Sequence, residues 1–176
     1  SDQQAQMIHA TLGEGDAPAF GDDLPLLWHW CAFPTIAANS DLGQDGHARG
    51  SALLPPVHLP RRMWAAGALS FHHSLRVGET FERRSRVHSV SQKMGKSGPM
   101  ALVTLHHEIS TPRGLAIEEE QSIVYLEIPE TFTPPEKRPL KAPIAESVAT
   151  PETLLFRYSA LTFNAHRIHY DLAYAR

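Results

Sequence analysis

Residues 157–171, RYSALTFNAHRIHYD, bring an asparagine, two histidines, two arginines and an aspartate together between aromatic residues. The amide of Asn164 can hold a water but cannot take its proton. An imidazole such as that of His169 can take that proton and return it to a neighbouring carbon. Such a pair suits the addition of water across a double bond, which needs no redox step. Five residues along a regular helix turn through about 140°. The pair therefore converges only if the helix ends near Phe163 and 164–170 curl as a loop. If the helix instead continues, His166 and His169 share a face and join Asp171 as metal-ligand types. The His169-x-Asp171 pair is half of a facial triad, which needs a further, distant His. A third reading is that these groups only cap and anchor a helix end. Arg157 and Arg167 can each fork onto a substrate carboxylate, or pair with a nearby acid such as Asp171.

The elements that must position this segment follow from periodicity and breakers. Thr150 reads as an N-cap, Pro151 as a first helical residue and Glu152 as an acid at the helix start. Leu154, Tyr158 and Leu161 then repeat at helical spacing. Upstream, residues 1–12 read as a short helix with Met7, Ile8 and Leu12 on one stripe. Leu24–Phe33 is apolar nearly all round, which suits a buried helix but also fits a buried strand. His29 and Cys31 are expected in packed core. Residues 34–60 are broken by Pro and Gly and read as irregular. From residue 66 the period is two, with Leu69, Phe71, His73 and Leu75 on one face. Phe81–Ser91, the strand carrying Ala101 to Ile109, and a fourth with Leu115, Ile117, Ile123 and Tyr125 on one face complete an antiparallel meander. An apolar helix before it would cover one sheet face. Residues 128–150, with five prolines, read as a semi-rigid linker. The strand histidines 72, 73, 106 and 107 read as ordinary sheet residues.

Composition narrows the partners. Hydrophobic content of 42% with 20% charge fits a folded globular chain. No window approaches a membrane span, no secretory leader is seen, and a lone Cys31 fits a reducing, cytoplasmic compartment. Residues 61–96 hold eight Lys or Arg against two Glu, a net of +6 in a chain of net −3. A solvated strand face accounts for that excess, and so does a polyanionic partner such as a cofactor phosphate.

LFRYSALTFNAHRIHYD resembles the active-site segment of MaoC-like hot-dog hydratases, and in particular 3-methylfumaryl-CoA (mesaconyl-C4-CoA) and itaconyl-CoA hydratases. LPLLWHWCAFP, LPRRMWAAGALSFHHSLRVGETFERRS and GKSGPMALVTLHHEIS resemble the first half of the same proteins. The wider family has an Asp-x-Asn-Pro-x-His pattern. Matched on its last His, Asn164 stands at the Asp, His166 at the Asn, Arg167 at the Pro and His169 at the His. The resemblance implies an α+β double hot-dog, a long helix wrapped by an antiparallel sheet in each half. Residues 1–127 would be the first domain and help form an acyl-CoA tunnel. Residues 128–150 would be the linker, and 151–176 the start of a truncated second domain carrying the catalytic loop. The chain is then expected to be a fragment, lacking a later helix whose N–H groups would polarise the thioester carbonyl.

The implied reaction is hydration or dehydration of a short branched dicarboxylic enoyl-CoA, with no cofactor and no metal. Asn164 and His169 would be catalytic, and Arg157, Tyr158, His166 and Arg167 would contact substrate. The expected partners are the acyl-CoA, whose phosphates would meet the basic segment, and either a second copy or a second hot-dog segment, with no nucleic acid and no membrane. The alternative is a non-catalytic acyl-CoA-binding or assembly module.

Overall fold

The computed structural model describes residues 1–13, 15–51, 53–95, 98–128 and 146–175. Most of the proline-rich segment, 129–145, lies outside the described residues. Four antiparallel strands form the sheet: β1 (Arg61–Phe71), β2 (Glu82–Gly95), β3 (Gly98–Thr111) and β4 (Gly114–Leu126), in the order β1-β4-β3-β2. Helix α1 (Asp2–Leu12) precedes the sheet, and α2 (Glu152–Leu161) follows the proline-rich segment and packs on α1.

The meander forms where the alternation predicts it, because β3 has one strongly apolar face. Ala101, Val103, Leu105 and Ile109 are buried there, with the intervening residues only half-buried. β1 is displaced from its expected place. It starts at Arg61 rather than near 66 and ends at Phe71, leaving His73 and Leu75 in the following turn. A register shift between Trp64 and Ala66 explains the difference, since an extra residue in a strand interrupts its period of two. In β4, Ile117, Ile123 and Tyr125 are buried as expected, but Leu115 beside the turn is exposed.

The cover of the sheet differs from expectation. Leu24–Phe33 is neither a strand nor an α-helix. Leu27 takes φ 70°, and a single 3-10 turn, Trp28–Ala32, follows. Leu24 and Phe33 pack on the cluster of Leu75, Ile109, Ala116 and Ile117, whereas Leu53, Leu54, Val57 and Leu59 pack on Ala101, Val103, Leu105, Ile123 and Tyr125. Irregular chain, rather than a long helix, thus covers this half, because the prolines between 55 and 60 deny backbone donors to a helix. In α1 the stripe is also rotated: Ala5 and Ile8 are buried, while Met7 and Leu12 are exposed. No described helix is long and apolar enough to cross a membrane.

His29 and Cys31 are buried, as the apolar run implies. Beneath them the carboxylate of Glu119, 5% exposed, accepts from Trp30 Nε1 at 3.2 Å and lies 3.7 Å from His29 Nε2, an ion-pair distance too long for a hydrogen bond. Burial pushes the Glu119 carboxyl up, but the His29 and Trp30 side chains and the charge of His107 outweigh it and hold the group below its ordinary 4.5. A carboxylate depressed in the folded state stabilises it fully above the ordinary value and loses that contribution as pH falls through the folded one. Glu119→Gln is expected to lower Tm at pH 7, with the difference from the parent shrinking as thermal melts are repeated from pH 5 to pH 3.

Candidate functional site

Helix α2 stops where the site requires it to stop. Pro151, not Thr150, occupies the N-cap, and the helix closes after Leu161. Phe163 takes φ 52°. Its N–H donates to Ala160 O at 3.2 Å, and the Asn164 N–H donates to Ser159 O at 2.8 Å. This pair of bonds is a Schellman closure with phenylalanine at the left-handed position usually given to glycine. A side chain there costs about 1–2 kcal/mol, so contacts beyond the helix must hold the bend. Residues 164–166 then run extended, and Arg167–His169 form a 3-10 turn. The continuous-helix geometry, on which a metal set of His166, His169 and Asp171 depends, is therefore not formed.

The contacts that hold the bend come from residues 41–49. Leu42 bridges Ala48, the Gly43 N–H donates to His47 O at 2.7 Å, and Gly46 turns the chain at φ 87°. The Arg167 N–H donates to Asp45 O at 2.9 Å, and Arg167 Nη1 donates to Gln44 O at 3.1 Å. Gly46 lies so close to Ala165 that an added Cβ would fall 1.9 Å from its carbonyl oxygen. The His47 ring sits 4.0 Å from that of His166, and Asp45 Oδ2 lies 2.8 Å from His47 Nδ1. A small Asp-Gly hairpin thus cradles the bend. Sequence reasoning placed 41–49 in irregular chain; the Asp-Gly-His triplet was its only local signal.

The nominated residues separate into two groups. His166 and His169 come together, with ring centroids 5.7 Å apart and nearly perpendicular. Asn164 begins the same loop. Its Oδ1 accepts from the His166 N–H at 3.0 Å, which leaves the amide NH2 as its remaining donor. Arg167 is engaged at the loop: Nη2 and Nε donate to Asp171 Oδ2 at 2.6 and 3.1 Å, and the guanidinium lies 4.5 Å over the Tyr174 ring. The structure thus realises the Asp171-pairing alternative for this arginine. Arg157 reaches elsewhere, donating to Ala10 O at 3.3 Å near the C-terminus of α1. Tyr158 is partly exposed, and burial followed by the charge of Cys31 pushes its hydroxyl up.

Electrostatics favour the neutral forms of His47 and His166. Burial, then the charge of His47, pushes His166 down to about 4. Burial also pushes His47 down; its bond to Asp45 opposes the shift and the charge of Arg62 adds to it. Asp45, His47 and His166 could each offer one ligand atom to a metal, all within 4.8 Å of one another. Asp45 and His47 also line a cavity of about 460 Å³ with Arg49, His58, Arg62 and Tyr125.

Residues 27–176 match the family model described as hydroxyacyl-thioester dehydratase type 2. The chain is 46% identical to the mesaconyl-C(4)-CoA hydratase of Chloroflexus aurantiacus over 98% of its own length and 63% of that protein. It is 29% identical to the mitochondrial hydroxyacyl-thioester dehydratase type 2 of Schizosaccharomyces pombe over 84% of its length and 57% of that protein. It therefore spans about three fifths of these relatives. Among solved structures, a MaoC-like dehydratase from Phytophthora capsici superposes over 99% of this chain and 62% of that one, with TM-score 0.58 and 15% identity. That likeness fixes the fold as the hot-dog type.

Proposed function

We propose that this chain, which belongs to the hydroxyacyl-thioester dehydratase type 2 family, supplies the catalytic loop of a hydratase for a short branched dicarboxylic enoyl-CoA. The supporting observation is the bend at Phe163, which turns Asn164 and His169 off the helix, while Ala165, His166 and Arg167 between them dock on the 41–49 hairpin. In this reading the Asn164 NH2 donates to a water oxygen. His169 takes a proton from that water as its oxygen bonds to the β-carbon, and returns the proton to the α-carbon. Every atom of the water enters the product, and the imidazole ends as it began.

The reading divides the protein into a hot-dog domain over 1–127 and the opening of a second over 151–176. Phe156, Phe163, Ile168, Tyr170 and Leu172 are between 50% and 72% exposed, a concentration of apolar surface that suits cover by a second hot-dog segment. The partner at the site is the acyl-CoA, and the compartment is the cytoplasm. The test is a turnover assay on the longest natural form of the protein, following loss of enoyl-thioester absorbance with 3-methylfumaryl-CoA or itaconyl-CoA, beside a binding titration with CoA. Turnover of either substrate is expected. Binding of CoA without turnover of any enoyl-CoA would replace the hydratase by an acyl-CoA-binding module.

A further inference from the structure

A dicarboxylic acyl group brings a second carboxylate into the site, and that charge needs a cation when water is excluded. The two arginines that the motif offers are committed: Arg167 to Asp171 and Gln44, and Arg157 to the end of α1. Arg62 remains. It stands near the start of β1 opposite Tyr125 of β4, and both line the 460 Å³ cavity together with Asp45 and His47. His47, which lines the same cavity, stacks at 4.0 Å on His166 of the bend and so joins the cavity to the loop. Among the described residues no carboxylate forms an ion pair with it. A guanidinium is a permanent cation whose paired N–H groups match the two oxygens of a carboxylate.

We propose that Arg62 is the specificity-determining residue that receives the free distal carboxylate of the acyl group. The proposal rests on the hydratase reading, and it assigns to β1 a task that the 157–171 motif does not perform. Arg49 is a second cation lining the same cavity.

The test compares Arg62→Met and Arg62→Lys with the parent, in the longest natural form, on 3-methylfumaryl-CoA and on the uncharged crotonyl-CoA. Arg62→Met is expected to lower kcat/KM for the dicarboxylic substrate by about 10²–10³-fold, as for a site that loses its polar partner. Crotonyl-CoA turnover should change by less than about threefold, and Arg62→Lys should fall between. Binding of succinyl-CoA against butyryl-CoA gives a readout independent of turnover: the preference for succinyl-CoA should vanish in Arg62→Met. Equal losses on both substrates would instead make Arg62 a contact to the CoA portion, and an unchanged ratio would remove it from recognition; either overturns the proposal. A parent protein that turns over crotonyl-CoA but no dicarboxylic enoyl-CoA overturns the substrate reading itself, before any variant is made.

Discussion

Replacing His169 by alanine is expected to reduce hydration by about 10²–10⁴-fold, the usual worth of a positioned acid–base group. The loss should appear in kcat, with KM little altered, because the imidazole acts on the proton in transit and not on the bound thioester. His169 is half-buried and its backbone N–H, which alanine keeps, donates to His166 O at 3.1 Å. The melting temperature should therefore stay near that of the parent. Asn164 stands where the pattern that the segment resembles has an acid, so that carboxylate is not there to act as a second base. Retention of more than about a tenth of parental kcat would remove His169 from the chemistry.

The second large effect is expected at a residue with no functional group. Gly46→Ala places a Cβ 1.9 Å from the Ala165 carbonyl oxygen and 2.7 Å from its carbon. Those are backbone atoms, so no rotamer change relieves the contact; the loop carrying Asn164 and His169 must move off the hairpin. A displacement of about 1 Å at a reacting group costs roughly 10²-fold in rate. The backbone at Gly46, φ 87°, adds its own penalty for any side chain. Gly21→Ala separates the two contributions, since Gly21 takes φ 89° with nothing within 4 Å of an added Cβ. Gly21→Ala should lose stability through its backbone conformation alone and Gly46→Ala should lose more in thermal melts, and only Gly46→Ala should lose kcat by about 100-fold or more. Equal activity in the two would show that the hairpin does not hold the loop in place.

The sheet was legible because burial on one face writes itself into sequence as alternation, and Ala101, Val103 and Leu105 are spaced by it. The start of β1 was hidden by the irregularity at Trp64–Ala66, which puts neighbouring residues out of phase. The end of α2 was legible through the chemistry: Asn164 and His169 could converge only off the helix. Its cause was not, since nothing local favours a left-handed phenylalanine; the docking of a distant hairpin imposes it. Arg157 and Arg167 were nominated by type, but an arginine's reach follows from its nearest acceptors, here Ala10 O and Asp171. Asp45, His47 and Arg62 were missed for the same reason. They meet the bend only after folding, and no periodicity links residues so far apart.

The bond from the Arg167 N–H to Asp45 O joins positions 122 residues apart in the chain. Closing so long a loop has a large entropic cost and comes late in folding. A ribosome will have delivered all four strands before the segment that completes the bend emerges. Nascent chains halted between Leu126 and Arg167 can carry a finished sheet and still lack the pairing that shapes the turn.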